Sequence, residues 1–361
     1  MNIKKYIVLG LTPQGLALLR ELGRVGADVT AFCQSKHNVG YSSRYGKKIF
    51  FRNVEELKEG IGEIVADSIR KPICYITSGE ILALVLREYK ELYELCEVSS
   101  APYSVIEMLA HKDRMYAYAC SHGLTTAKYI TLDKYQNGML SFPLFLKRNY
   151  EIPLFFKAVM IENMDQLEYY ISRIPKESLK DVIAQEFINI PSSNLLNLSC
   201  QGYYVEGECC GLYLANQKRR LKKGLTSYIE EVTDFNIAQP IERLVRQFML
   251  SLRYSGFAEF EFMYDVQNQR LYFIEVNTRV CGSQSGLHYK FSNLVDVLLF
   301  PQKKTQLIVK CDCLKWMNIV RDIRARFESN DFYNLTDLFH AHYDILRWDD
   351  IKPFLFQFIR V

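Results

Sequence analysis

The sequence predicts a mixed α/β protein, a parallel strand–helix–strand opening followed by an α+β body rich in antiparallel strands. Three observations carry this. The apolar runs Lys5–Gly10 and Asp28–Phe32 bracket an amphipathic stretch that begins Thr12-Pro13-Gln14-Gly15 and continues through Gly23. The segment Gly256–Arg279, GFAEFEFMYDVQNQRLYFIEVNTR, reads as two alternating strands around a polar loop at Asp265–Gln269. Finally, 49% hydrophobic residues in a chain of 361 suffice for two or three sub-domains with their own cores.

The opening is like half of a Rossmann domain, but Gly10 and Gly15 do not make G-x-G-x-x-G, because the middle glycine that admits a pyrophosphate is absent. A dinucleotide site, and with it an NAD-dependent oxidoreductase, is therefore not expected. Pro72–Thr77 (PICYIT) gives a further strand, followed by Ser78-Gly79-Glu80 and a helix over Ile81–Tyr89. Ala110–His122 reads as one helix capped by Gly123, with Lys112 in its first turn. Phe142–Lys147 is an apolar strand ending in a lysine, and Asp181–Ile188 (DVIAQEFI) is another strand. Gly202–Leu214 supplies strands that turn at Glu206-Gly207-Glu208, and Leu294–Phe300 closes the body as a helix. Trp316 and Trp348 are expected as packing anchors in the last part of the chain. Three regions result: 1–107, 108–305, and a C-terminal extension, 306–361.

Charged residues make up 24% of the chain, with a formal net charge of +4 spread along it. The densest basic run, Lys218-Arg219-Arg220-Leu221-Lys222-Lys223, has no interleaved aromatics, so nucleic acid is not the expected partner. No apolar stretch is long enough to span a bilayer, and Tyr6–Leu11 is too short for a signal-peptide core. Ten cysteines without a CxxC pair are read as reduced thiols in a cytoplasmic protein. His340 and His342, two apart, lack neighbouring partners for a metal site.

The hairpin carries the chemistry. Side chains alternate along a strand, so Glu259 and Glu261 share a face, as do Glu275, Asn277 and Arg279. A turn centred on Asn268 puts Glu261 opposite Glu275. Two adjacent carboxylates in an apolar sheet repel unless a cation lies between them. Oxygen ligands with an amide beside them suit a hard cation such as Mg²⁺. A solvated polar face on an ordinary hairpin is the alternative.

Read in order with three upstream segments, this hairpin resembles the ATP-grasp superfamily, of the carbamoyl-phosphate-synthase-like carboxylate–amine ligase type, over roughly residues 108–305. The family pattern is a glycine, a "vEF" strand, a turn and "iEvNpR", matched here by Gly256, Glu261-Phe262 and Ile274–Arg279. The resemblance implies an ATP-grasp fold preceded by a Rossmann-like pre-ATP-grasp domain. It makes Glu261, Glu275 and Asn277 the ligands of Mg²⁺ (or Mn²⁺) bridging the phosphates of ATP. It makes Lys112 and Lys147 phosphate contacts, and sets Gln185, Glu186, Phe187 and Ile188 around the adenine. Arg279, with Lys218 or Arg220, is implied to face the transferred phosphoryl group or the acidic substrate, a task suited to guanidinium geometry. Gly79, Glu80 and the Thr12–Gly15 loop are implied to help bind the carboxylate substrate, and Cys281–Gly286 to frame it.

Two departures stand out. Where the family has a glycine-rich lid, this chain has Arg148-Asn149-Tyr150-Glu151-Ile152-Pro153, so Arg148 or Lys157 is left to supply charge. Where the family has an acid for the ribose, this chain has Ser192, Ser193 and Asn194. The expected function is an ATP-dependent carboxylate–amine ligase working through an acyl phosphate on small-molecule carboxylate and amine substrates. Cell-surface polysaccharide or small-peptide biosynthesis is its expected setting, and a homodimer its default assembly. The alternative is a non-catalytic nucleotide-binding module of the same fold.

Overall fold

The computed structural model describes residues 4–150, 154–222, 224–332 and 335–358. The chain forms two compact units. The first comprises Met1–Tyr103, Asn197–Phe260 and Asn277–Val361; the second comprises Ser104–Leu196 and Glu261–Val276.

In the first unit, β1 (Lys5–Leu9), β2 (Asp28–Cys33), β3 (Lys47–Phe50), β4 (Ile73–Ile76) and β5 (Glu97–Val98) form a parallel sheet in the order β3-β2-β1-β4-β5. The helix Pro13–Arg24 joins β1 to β2, as the opening predicts. Proline at its first turn costs no helical hydrogen bond. A Cβ on Gly15 would lie 2.0 Å from the Gly10 carbonyl oxygen, so this glycine serves close helix–strand packing and not a phosphate.

The second unit holds β6 (Tyr129–Thr131), β7 (Leu144–Arg148), β8 (Ala158–Ile161) and β9 (Val182–Glu186), an antiparallel sheet in the order β6-β9-β7-β8. Alternation sends Leu144 and Leu146 of β7, with Val182 and Ala184 of β9, into its core with Ile161 and Leu167. Lys147 and Gln185 lie on the opposite face, since Lys147 pairs with Ile183 and Phe145 with Gln185.

The third sheet uses β10 (Leu195–Val205), β11 (Glu208–Arg220), β12 (Thr226–Glu231), β13 (Gly256–Asp265), β14 (Arg270–Asn277), β15 (Lys315–Met317) and β16 (His342–Tyr343). Its order is β14-β13-β10-β11-β12-β15-β16. The hairpin loop is tied by Asp265, whose carboxylate accepts from the Gln267 N–H (3.1 Å), the Asn268 N–H (3.2 Å) and the Asn268 side chain (2.7 Å). Gly256, at φ +125°, opens β13 where a Cβ would lie 1.5 Å from the Ser99 carbonyl oxygen. Residues beyond 305 complete this sheet: β15 pairs with β12 and β16 with β15.

The first unit's core unites residues of its parallel sheet, such as Tyr75, with Tyr203, Phe257, Val280 and Trp316. Trp316 is fully buried and donates to Ser285 Oγ at 2.7 Å, the anchor the sequence suggests. Trp348 is not an anchor: it is 87% exposed. Its neighbours are held instead, Asp349 by Arg24 and Tyr45, and Asp350 by Arg20 and Ser43. The helix expected over Ala110–His122 is Lys112–Ser121, preceded by a separate helix, Tyr103–Ala110, from which His111 divides it. All ten cysteines are free thiols. Among the described residues no helix is long and apolar enough to cross a membrane, and no group of His, Cys, Asp or Glu has metal-site geometry.

Candidate active site

The predicted residues fall into two groups, one in each unit. In the second unit, Lys112 opens the helix Lys112–Ser121. Asn149, buried at the end of β7, holds that helix start: its carbonyl accepts from the Lys112 N–H (2.9 Å) and its side chain from the Asp113 N–H (2.9 Å). A cap supplied from 36 residues away fixes where Lys112 emerges. β14 is tied to the same region, the Phe273 N–H donating to the Thr125 carbonyl at 2.7 Å and the Val276 N–H meeting Met115 Sδ at 3.5 Å.

These constraints set Lys112 Nζ 3.0 Å from Glu275 Oε2. Lys147 stands on the coreless face of β7 and donates to Gln185 Oε1 at 2.8 Å. Gln185 Nε2 donates in turn to Thr126 Oγ1 (3.2 Å) and the Ala127 carbonyl (3.4 Å), so its amide orientation is fixed. Burial lowers the Lys147 pKa from its ordinary 10.5 to about 8, the Lys112 ammonium adding to the fall and Glu275 opposing it. Burial likewise pushes the Tyr116 hydroxyl up to about 12, with the Lys112 ammonium opposing the rise. Lys112, Lys147 and Glu275 thus lie close enough to act on one another's charge.

On β9 the Glu186 N–H donates to the Lys128 carbonyl (2.9 Å) and the Phe187 N–H to the Pro143 carbonyl (3.0 Å). Glu186 Oε1 accepts from the Ser141 N–H at 2.9 Å. Both amides and the Glu186 carboxylate are thus engaged in structure. Phe187 packs its exposed ring against Phe145, 5.7 Å between centroids. Asn194, one of the residues in place of the family's ribose acid, is tied to the hairpin tip by its carbonyl (Val266 N–H, 2.9 Å) and its amide (Gln267 Oε1, 2.6 Å). Of the lid, Glu151, Ile152 and Pro153 lie outside the described residues.

In the first unit, Arg279 Nη2 donates to Asn277 Oδ1 (3.3 Å) and Nη1 to the Val280 carbonyl (3.1 Å). Gly79 stands beside this guanidinium: a Cβ there would come 3.4 Å from Arg279 Nε. Asn277 Nδ2 faces Glu259 Oε2 at 3.5 Å. Of the other predicted metal ligands, Glu261 on β13 and Glu275 on β14 belong to the second unit.

The basic run is split. Register shifts at Gln217/Arg219 and Arg219/Arg220 break the alternation of β11. Arg219 turns inward, its guanidinium 3.0 Å from both Asp322 Oδ1 and Asp337 Oδ2 and 4.5 Å above the Tyr228 ring. Lys218 and Arg220 are exposed, with Lys218 Nζ 3.9 Å from Glu230 Oε2. Lys223 lies outside the described residues. Asn149, Arg219 and Glu259 are the structural residues the sequence does not single out. Only Glu259 carries a signal there, a second acid two residues before Glu261.

No protein-family model matches the chain. A D-aspartate ligase of Enterococcus faecium (strain Aus0004) is 25% identical over 231 residues, 58% of this chain and 53% of that protein. The chain thus matches about half the length of that curated relative. N5-carboxyaminoimidazole synthetase from Staphylococcus aureus superposes with a TM-score of 0.67 at 14% identity, covering 92% of this chain and 88% of the other. Biotin carboxylase from Campylobacter jejuni gives 0.66 at 13% identity over 87% and 75%. L-amino acid ligase from Bacillus licheniformis gives 0.60 at 15% identity over 86% and 76%. The chain thus shares its overall fold with these proteins, and that fold is the ATP-grasp fold.

Proposed function

We propose that the chain is an ATP-dependent carboxylate–amine ligase that activates its acid substrate as an acyl phosphate and joins it to an amine, releasing ADP. The observation that carries this is the cluster of Lys112, Lys147 and Glu275. Its cations suit an anion and its carboxylate suits a metal, a combination that a metal–triphosphate satisfies at once. Glu261, Glu275 and Asn277 would hold Mg²⁺ or Mn²⁺, an all-oxygen set appropriate to a hard ion. Bound there, the metal would neutralise phosphate charge. Lys112 and Lys147 bind the phosphates, and main-chain groups of Glu186–Ile188, with Gln185 and Phe187 behind them, receive the adenine. Arg279 stabilises negative charge on the acyl group, and Lys218 or Arg220 steers the acidic substrate.

The similarity to a D-aspartate ligase supports an amino acid as one substrate. Cell-surface polysaccharide or small-peptide biosynthesis is the setting we propose. The reaction is placed in the cytoplasm, where ATP is available. ADP release measured across amino acids, D-aspartate included, with amine acceptors tests the proposal. ATP binding without ADP release on any pair would favour the nucleotide-binding module instead.

A further inference from the structure

We infer that Glu259 is a positioning residue for the metal site, acting by fixing which way the Asn277 carboxamide points. This rests on the assignment of Asn277 as a metal ligand under the proposed function. Glu259 is 7% exposed, a depth at which a carboxylate needs several donors. It has them: Ser199 Oγ donates to Oε1 at 2.6 Å, and Gln201 Nε2 reaches the same oxygen at 3.5 Å. Gln201 is itself fully buried, its Oε1 accepting from Tyr213 OH (2.9 Å) and from Cys281 Sγ (3.0 Å), while its Nε2 also donates to Ser283 Oγ. The carboxylate is therefore held by two neutral donors of β10, Ser199 and Gln201, and Gln201 is fixed in turn by Tyr213, Cys281 and Ser283.

Its other oxygen, Oε2, faces Asn277 Nδ2. Oε2 is the acceptor in this contact, so the amide turns its NH₂ toward Glu259. Arg279 only donates, and it sits on Asn277 Oδ1. Both neighbours enforce the same orientation, and the oxygen stays on the side away from Glu259. A flipped amide would offer a metal its NH₂ group, which cannot ligate. Groups that hold a ligand in this way typically govern metal affinity by about 10–100-fold.

The test is binding of Mn²⁺ in the presence of ATP, followed by the loss of the free-ion electron paramagnetic resonance signal. ATP affinity without metal and urea stability are measured in parallel. Glu259→Gln keeps the shape of the side chain but can present either a donor or an acceptor to Asn277. Its Mn²⁺ affinity should fall about 10–100-fold, with metal-free ATP affinity unchanged. In an Asn277→Ala background the same substitution should change Mn²⁺ affinity by less than about 2-fold, because no amide remains to orient. If Glu259→Gln does not fold, Ser199→Ala, which frees one carboxylate oxygen, should show a smaller fall of the same kind. Unaltered Mn²⁺ affinity in Glu259→Gln, or an equal loss with and without Asn277, overturns the inference. Wild-type protein that binds ATP with no metal dependence overturns the proposed function instead.

Discussion

Lys147 should make the ligand-free protein less stable at neutral pH than at alkaline pH. Its pKa is about 8 in the folded chain, against 10.5 ordinarily, so the fold disfavours the charged ammonium. For a lysine lowered in this way the penalty is fully present below pH 8 and disappears above pH 10.5. Between these values the unfolded chain binds more protons, so this group makes stability rise with pH. The gap is worth about 3 kcal/mol, of which about 2.5 kcal/mol is recovered between pH 7 and pH 10. Tyrosines and thiols titrate in the same window, so wild type is compared with Lys147→Met, which lacks the ammonium. Urea unfolding of both proteins at pH 7 and pH 10 is the assay. The stability difference, wild type minus variant, should become more favourable by about 2.5 kcal/mol at the higher pH. The variant should also lose about 10–100-fold in ATP affinity, the scale of one charge-assisted contact. Parallel pH dependences would refute the claim that Lys147 is a strained cation awaiting an anion.

Glu275→Gln should leave urea stability within about 1 kcal/mol, because the Lys112 pair is 28% and 32% exposed; the same protein should lose metal-dependent ATP binding by calorimetry. Arg219→Met should cost about 3 kcal/mol in urea unfolding. That is the lower end for breaking a buried pair, since Arg326 still bonds Asp322 (2.9 Å) and reaches Asp337 (3.4 Å); a loss under 1 kcal/mol would show that Asp322 and Asp337 do not need it. Gly256→Ala should destabilise by more than about 3 kcal/mol or fail to accumulate as soluble protein, since its methyl would meet the Ser99 carbonyl. A wild-type melting temperature for that variant would contradict the close approach.

The elements with strong periodicity were legible in the sequence. The opening βαβ, β7, β9 and the hairpin lie within a residue or two of where apolar runs and turn residues predict them. Side-chain direction was legible where strand alternation alone sets it, as for Glu275 and Asn277. Contacts made by folding were not. Asn149 caps a helix far ahead of it in the chain, and no local pattern announces that. Arg219, not its neighbours, is the inward member of the basic run, because register irregularities in β11 override alternation. β15 and β16, three and two residues long, are too short to show a period. Trp348 was misjudged because its size suggested a core, whereas the acids beside it hold the chain and turn the indole outward.

Arg20, in the first helix, is 2% exposed, and its guanidinium bonds the Asp350 carboxylate (3.0 Å), the Asp350 carbonyl (2.8 Å) and the Ile345 carbonyl (3.0 Å). Some 330 residues separate these partners. A ribosome delivers the chain in order, so the arginine, made first, must wait for some 330 further residues before its acceptors emerge. Until then its charge has to stay in water, and the early sheet cannot settle around it. Halting synthesis short of residue 345 should therefore yield nascent chains whose opening helix is digested readily, and the mature resistance should appear only once that acidic stretch has cleared the exit tunnel.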